Sequence, residues 1–260
     1  MSNLHLPYEG RVENFGANTG ASTGASLIAG VVTQLAAATS FEYDALLVTA
    51  MSATSSFFGI DVLLGSSGNE YVVAESLYVV KSGTAEGSCF LLPLAIPRGS
   101  RLCLRSNGIS SNAVVHGISY GRLGPRGYSK MVAMGLVGFK GTAIDPGTTA
   151  NTMSSWVQLT ASAPNNFDAI MPVIGNNNRS SSSNSASWLV DIGLGSPQQI
   201  VIPKLLINSG SSTQLLTVPN VLPVFPVPVP AGSPLYARAQ CAVTSSTQRT
   251  IDAVLYGLIR

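Results

Sequence analysis

Charge is what this chain has least of. Only 10% of its 260 residues are Asp, Glu, Lys or Arg, and the net charge is +2, against roughly a quarter charged in an ordinary soluble domain. So weak a balance leaves no electrostatic footprint for a phosphate backbone, and nucleic acid is not an expected partner. Histidine, the commonest general base, occurs only as His5 and His116, with no nucleophile motif beside either. The patterns G-x-S-x-G, H-E-x-x-H, phosphate loop and EF-hand are all missing. The glycine-rich "GANTGASTGASLIAG" (Gly16–Gly30) lacks the lysine that a phosphate cradle requires. The sequence therefore predicts no catalytic residue, no cofactor, no metal, and a protein that is not an enzyme.

Long apolar runs are absent too. Gln, Gly or Pro interrupts each candidate, so no membrane span is expected. "MSNLHLPYEGR" has neither the basic start nor the apolar stretch of a signal peptide. The three cysteines, Cys89, Cys103 and Cys241, lack metal-type spacing. Two readings stay open for them: buried thiols, or a bond between subunits that an odd count permits.

What fills the chain instead is Gly (26), Pro (15) and uncharged polar residues, beside 45% hydrophobic residues. That much apolar material at low net charge argues against disorder. A polar, uncharged surface escapes most of the cost of desolvating charge, which suits a protein held in permanent contact.

The chain also repeats itself. "LLPLAIPRGSRLCLR" (Leu91–Arg105) aligns without gaps on "VFPVPVPAGSPLYAR" (Val224–Arg238), sharing Pro93/Pro226, Pro97/Pro230, Gly99/Gly232, Ser100/Ser233, Leu102/Leu235 and Arg105/Arg238. "FEYDALLV" (Phe41–Val48) matches "NNFDAIMP" (Asn165–Pro172), and "FFGIDVLLGS" (Phe57–Ser66) matches "SWLVDIGLGS" (Ser187–Ser196). Gln34-Leu35 aligns with Gln158-Leu159, Phe15 with Phe139, His116 with Asp252, and Tyr120-Gly121 with Tyr256-Gly257. An ordered series of this kind marks a duplication. It predicts two similar units, 11–122 and 135–260, joined by a linker over 123–134, with an extended N-terminal arm over 1–30 that partly belongs to the first unit.

Short alternating runs such as Phe58, Ile60, Val62 and Leu64, separated by Gly/Ser/Asn clusters, are strand and turn signals. The expected fold is all-β, a tandem duplication of two jelly-roll-type sandwiches. Pro226, Pro228 and Pro230 alternate with apolar residues. That fits an edge strand whose prolines face away from the ladder; a polyproline-type arm is the competing reading. Asp61 with Arg105, and Asp191 with Arg238, recur in both copies of a charge-poor chain, so each is expected to form a structural ion pair.

The combination "FDAIMPVIGNNN…SASWLVDIGLGS", "IVIPKLLIN" and "FPVPVPAGSPLYARAQ" resembles β-sandwich accessory virion proteins of tailed bacteriophages, most strongly over 156–260. That resemblance implies a structural component of the virion, as head decoration, neck or collar, or tail-associated protein. Its partners would be copies of itself, as a trimer or ring, and other virion proteins. Leu4, Leu6, Tyr8 and Phe15 in the N-terminal segment are candidates for an assembly arm that lies on a neighbour. The alternative is a receptor- or carbohydrate-binding module of a tail fibre, for which Tyr8, Trp156, Trp188 and Tyr236 would be the stacking platforms. A hydrolase of cell-wall sugar would need a cleft with two nearby carboxylates.

Overall fold

The computed structural model describes residues 12–21, 30–52, 57–80, 88–108, 113–120, 127–138, 140–175, 186–208, 220–243 and 249–260. All the regular structure among them is β. The first half contains β1 (Val12–Ala21), β2 (Thr33–Ala36), β3 (Ala45–Ser52), β4 (Phe57–Ser66), β5 (Asn69–Val80), β6 (Ser88–Leu92), β7 (Arg101–Gly108) and β8 (Ala113–Tyr120). The second contains β9 (Lys130–Met134), β10 (Leu136–Val137), β11 (Lys140–Ile144), β12 (Val157–Thr160), β13 (Ala169–Gly175), β14 (Ser187–Leu194), β15 (Gln199–Asn208), β16 (Asn220–Val221), β17 (Leu235–Cys241) and β18 (Ile251–Ile259).

Strand order identifies the fold. In the first half, β1-β8-β3-β6 faces β2-β7-β4-β5; in the second, β9 and β11 lie end to end along one side of β18, with β13 and then β16 on its other side, facing β12-β17-β14-β15. Both are the two four-stranded sheets of a jelly roll. The sandwiches are not separate. β5 meets β9 in parallel at Ala74↔Met131, which fuses a sheet of each half into one ten-stranded sheet.

This fusion explains a difference between the copies. In β3, buried Leu46 and Val48 alternate with half-buried Leu47 and Thr49, as expected of a sheet with one covered face. Its counterpart β13 is buried throughout, and β18 is buried from Ile251 to Leu258. One face of these strands serves the second core, through Ile170, Ile174, Ala253 and Leu255. The other face joins the first core, through Met171, Val173, Val254, Tyr256 and Leu258. Strands covered on both faces read as continuous apolar runs, "AIMPVIG" and "IDAVLYGLI".

Several expectations need correction. The predicted linker 123–134 contains β9, which pairs with β18 from Leu255↔Met134 to Ile259↔Lys130 and belongs to the second sandwich. Phe15, expected in the assembly arm, is instead a core residue on β1, 2% exposed and edge-on to Tyr43. Ladder register also shifts three sequence matches. Ala45 pairs with Tyr120 as Ala169 pairs with Leu258, so Tyr120 corresponds to Leu258 rather than Tyr256. Phe15 corresponds to Met134 rather than Phe139, and His116 to Val254. Leu4, Leu6 and Tyr8 lie outside the described residues.

The proline run takes an edge position. Phe225 and Val229 bridge to Ile170 and Phe167 of the β13 region, while Pro226, Pro228 and Pro230 are exposed. In the first half Ile96 bridges to Tyr43 in the same way. Pairing is intermittent because Val227, between the two bridges, donates its N–H to the Phe225 carbonyl instead.

Three strand glycines lie beneath aromatic rings, where a missing side chain leaves room. A Cβ on Gly257 would stand 2.5–2.6 Å from ring atoms of Phe167. Gly257→Ala is therefore expected to lower stability by about 1–3 kcal/mol through overpacking, read as a shift of the urea midpoint at constant m-value.

Candidate functional site

The repeated charges occupy one kind of site in both sandwiches. Between β4 and β5, Ile60 pairs with Leu77 and Val62 with Ala74, so Asp61 faces an extra residue on β5. Between β14 and β15, Val190 pairs with Leu205 and Ile192 with Ile202, leaving Asp191 in the same situation. Such a bulge throws one residue out of the ladder. Here those residues are Ser76 and Lys204, with φ of 47° and 54°, left-handed values that cost a non-glycine residue roughly 1–2 kcal/mol.

Each aspartate closes its bulge. The Ser76 N–H donates to Asp61 Oδ1 at 2.8 Å, and the Lys204 N–H to Asp191 Oδ1 at 2.9 Å. The other oxygen of each carboxylate receives arginine from the neighbouring strand. Arg105 Nη2 and Nε lie 2.6 and 3.0 Å from Asp61 Oδ2; Arg238 Nη2 and Nε lie 2.9 and 3.0 Å from Asp191 Oδ2. Asp61 and Asp191 are 2% and 1% exposed. Charges so deeply buried are tolerable only when paired and hydrogen-bonded. The sequence pattern located the partners; it contained no sign of the bulge.

A second constellation was missed in the sequence. At the seam between sandwiches the Tyr78 N–H donates to the Tyr256 hydroxyl oxygen at 2.7 Å, and that hydroxyl donates to the Ser76 carbonyl at 2.9 Å. The Tyr78 hydroxyl donates to Asp252 Oδ2 at 2.8 Å, and its ring covers Gly175. One available signal was Asp252 itself, a charge inside the apolar run of β18. Burial, then the Asp252 carboxylate, pushes the Tyr78 phenol far above its ordinary range; burial does the same to Tyr256.

Other candidates are dispersed. Cys103 and Cys241 are buried and Cys89 is exposed, and all three are free thiols. Burial raises the Cys89 and Cys103 thiols, although Arg101 donates to the Cys103 sulfur at 3.2 Å. Trp188 is core, its indole N–H donating to the Arg249 carbonyl. Trp156 lies against Gly193, with the Arg238 guanidinium 4.4 Å from its ring centre. Tyr236 is half-buried, its hydroxyl accepting from Gln158. No group of three or more His, Cys, Asp or Glu residues that could hold a metal occurs among the described residues. No helix among them is long and apolar enough to cross a membrane.

Two concave sites lie among the described residues. A crevice of about 270 Å³ at the seam is lined by Asp61, Glu75, Ser76, Arg105 and Lys130 among others. Asp61 is already engaged there, which leaves Glu75 as the carboxylate facing solvent. An open cavity of about 540 Å³ carries hydroxyls of Thr148, Thr149, Thr152, Ser154 and Ser155 beside Asp145.

No family model and no curated protein matches this sequence. Solved structures do resemble its fold. A glycosylasparaginase, PNGase F from Flavobacterium meningosepticum, aligns over 96% of both chains at 8% identity and a TM-score of 0.38. The STIV MCP, a viral capsid protein, aligns over 96% of both chains at 9% identity and a TM-score of 0.40. The Cowpea mosaic virus top component aligns over 100% of this chain and 95% of its own, at 10% identity and a TM-score of 0.36. At these values the likeness concerns fold alone. The expectation that the chain is not an enzyme is withdrawn: its structural neighbours include an amidase as well as capsid proteins, and such a fold is no evidence against catalysis.

Two outcomes are expected from the site. Asp191→Ala, which strands both Arg238 and the Lys204 N–H, should cost about 3 kcal/mol, and Asp191→Asn, which keeps an acceptor, about 1–2 kcal/mol. Urea unfolding at neutral pH checks that order. The raised tyrosines set a pH dependence of known sign. The native state holds these protons more tightly, so their contribution is complete below the unfolded tyrosine value of about 10 and is lost as pH rises past it. Between about pH 9 and 11, wild type should lose stability more steeply than Tyr78→Phe/Tyr256→Phe, by up to about 1.4 kcal/mol per pH unit per phenol.

Proposed function

We propose that this chain is a structural component of a virus particle, associating with copies of itself and with other virion proteins. The observation that carries the reading is how its scarce charge is used. In each sandwich one buried aspartate, Asp61 or Asp191, is committed to a backbone N–H and an arginine, a commitment that maintains the framework. The charge-poor surface supports the same reading, since such a surface is suited to permanent contact. The tailed-phage assignment rests on the sequence resemblance, and a place in the head, neck or tail is part of the proposal. The carbohydrate-binding alternative loses support at Trp156, Trp188 and Tyr236, whose surfaces are engaged within the fold.

Leu4, Leu6 and Tyr8 are assigned to the assembly contact; Phe15 is not, because it belongs to the first core. The test is a chain lacking residues 1–10, which keeps β1. Sedimentation and electron microscopy should show weaker self-assembly or attachment to particles, with unfolding unchanged. A truncated protein that assembles and attaches normally would overturn the role of the arm. A full-length protein that stays monomeric and hydrolyses glycosylated asparagine or a sugar polymer would overturn the structural role.

A further inference from the structure

The contact between the two sandwiches has two sides, and the duplication provides a second copy of each. Inside the chain, the edge strand β5 of the first sandwich meets β9 and the outer face of the sheet containing β18 and β13. The duplication places a second such edge on β15, which pairs only with β14 among the described residues. It also places a second such face on the sheet β1-β8-β3-β6. Register fixes the equivalences: Ala74 corresponds to Ile202, Tyr78 to Leu206, and Met131 to Val12.

Exposure differs at these positions in the direction that a missing partner requires. Tyr78 is fully buried at the seam, whereas Leu206 is 58% exposed and Ile200, on the same edge, is 47% exposed. On the face side, Met171 and Val173 are buried and Val221 and Val224 pack against the first core. The corresponding face of the first sandwich leaves Leu91 55% exposed, with Cys89 also exposed.

The chemistry has changed on both sides together. Within the chain, large and polar Tyr78 meets Gly175, Asp252 and Tyr256. The equivalent register positions are held by Leu206 on the edge and by Met51, Val114 and Ile118 on the face. Where the seam has Tyr on the edge and Gly, Asp and Tyr on the face, the sequence at the equivalent register positions has Leu on the edge and Met, Val and Ile on the face. Matched replacement on both sides is what an edge and a face for each other's use would carry. The polar set inside the chain also discriminates against pairing the wrong edge with the wrong face.

We infer that the β15 edge of one copy docks on the outer β1-β8-β3-β6 face of a second copy, repeating the internal seam between molecules. Ile202 then stands opposite the partner's Val12, where Ala74 stands opposite Met131. The contact is heterologous, so each copy gives one edge and receives one face, and a closed ring completes all contacts. This inference rests on the structural role proposed above and names the surface that serves it.

Leu206→Arg spoils only the edge and Leu91→Arg only the face, both at exposed positions where folding should persist; thermal unfolding verifies that. Light scattering on size-exclusion fractions should find wild type assembled and each variant alone dissociating at least tenfold more readily. An equimolar mixture should form a dimer that cannot extend, because one intact edge and one intact face remain between unlike copies. Recovery of that dimer supports the docking. If both variants assemble like wild type, or the mixture remains monomeric while wild type assembles, the docking is overturned and the structural role stands. A wild type that is monomeric at every concentration overturns both.

Discussion

One extra residue in the fifth strand of each jelly roll sets the terms for much of the molecule. The bulge turns Ser76 and Lys204 into left-handed conformations and takes their N–H groups out of the ladder. A buried amide hydrogen needs an acceptor; a carboxylate from the facing strand provides it. That buried carboxylate needs a cation in turn, and arginine two strands over supplies two donors to its second oxygen. In the first sandwich the same bulge positions the Ser76 carbonyl and the Tyr78 N–H to hold the Tyr256 hydroxyl. The irregularity that demanded an ion pair thus also helped make a seam.

That seam changes the character of the second sandwich. With its outer face covered by the first core, the sheet containing β13 and β18 lies between two apolar layers, and its central strands lose alternation. Among the described residues no equivalent layer covers the outer face of the first sandwich, and its strands β3 and β6 alternate. Two copies of one topology therefore differ in sequence because they differ in neighbours.

A jelly-roll architecture alone does not choose between a structural and a catalytic role. The argument for a structural role is local. Asp61 and Asp191 are each engaged by a backbone N–H and an arginine, and Ile200, Leu206 and Leu91 are apolar residues exposed on a sheet edge and a sheet face.

The duplication was legible in the sequence because turn chemistry and paired charges survive as short gapless motifs: the Pro–Gly–Ser corner, and Asp61/Arg105 against Asp191/Arg238. Alternation of apolar residues was enough for the all-β class, because a half-buried strand imposes a period of two. The bulges were invisible, since an inserted residue shifts pairing without leaving a distinctive residue type; neither Ser76 nor Lys204 is glycine. The matches at Tyr120, Phe15 and His116 went astray for the same reason: register is a property of two strands, and one strand's sequence does not contain it. The sequence by itself determined strand content, repetition and the partners of its few charges, because these depend on local pattern. Only the tertiary structure decided that the sandwiches share a sheet, that Tyr78, Asp252 and Tyr256 meet, and which edge and face remain open. Each of those depends on contacts between residues far apart in the chain, where no local rule applies.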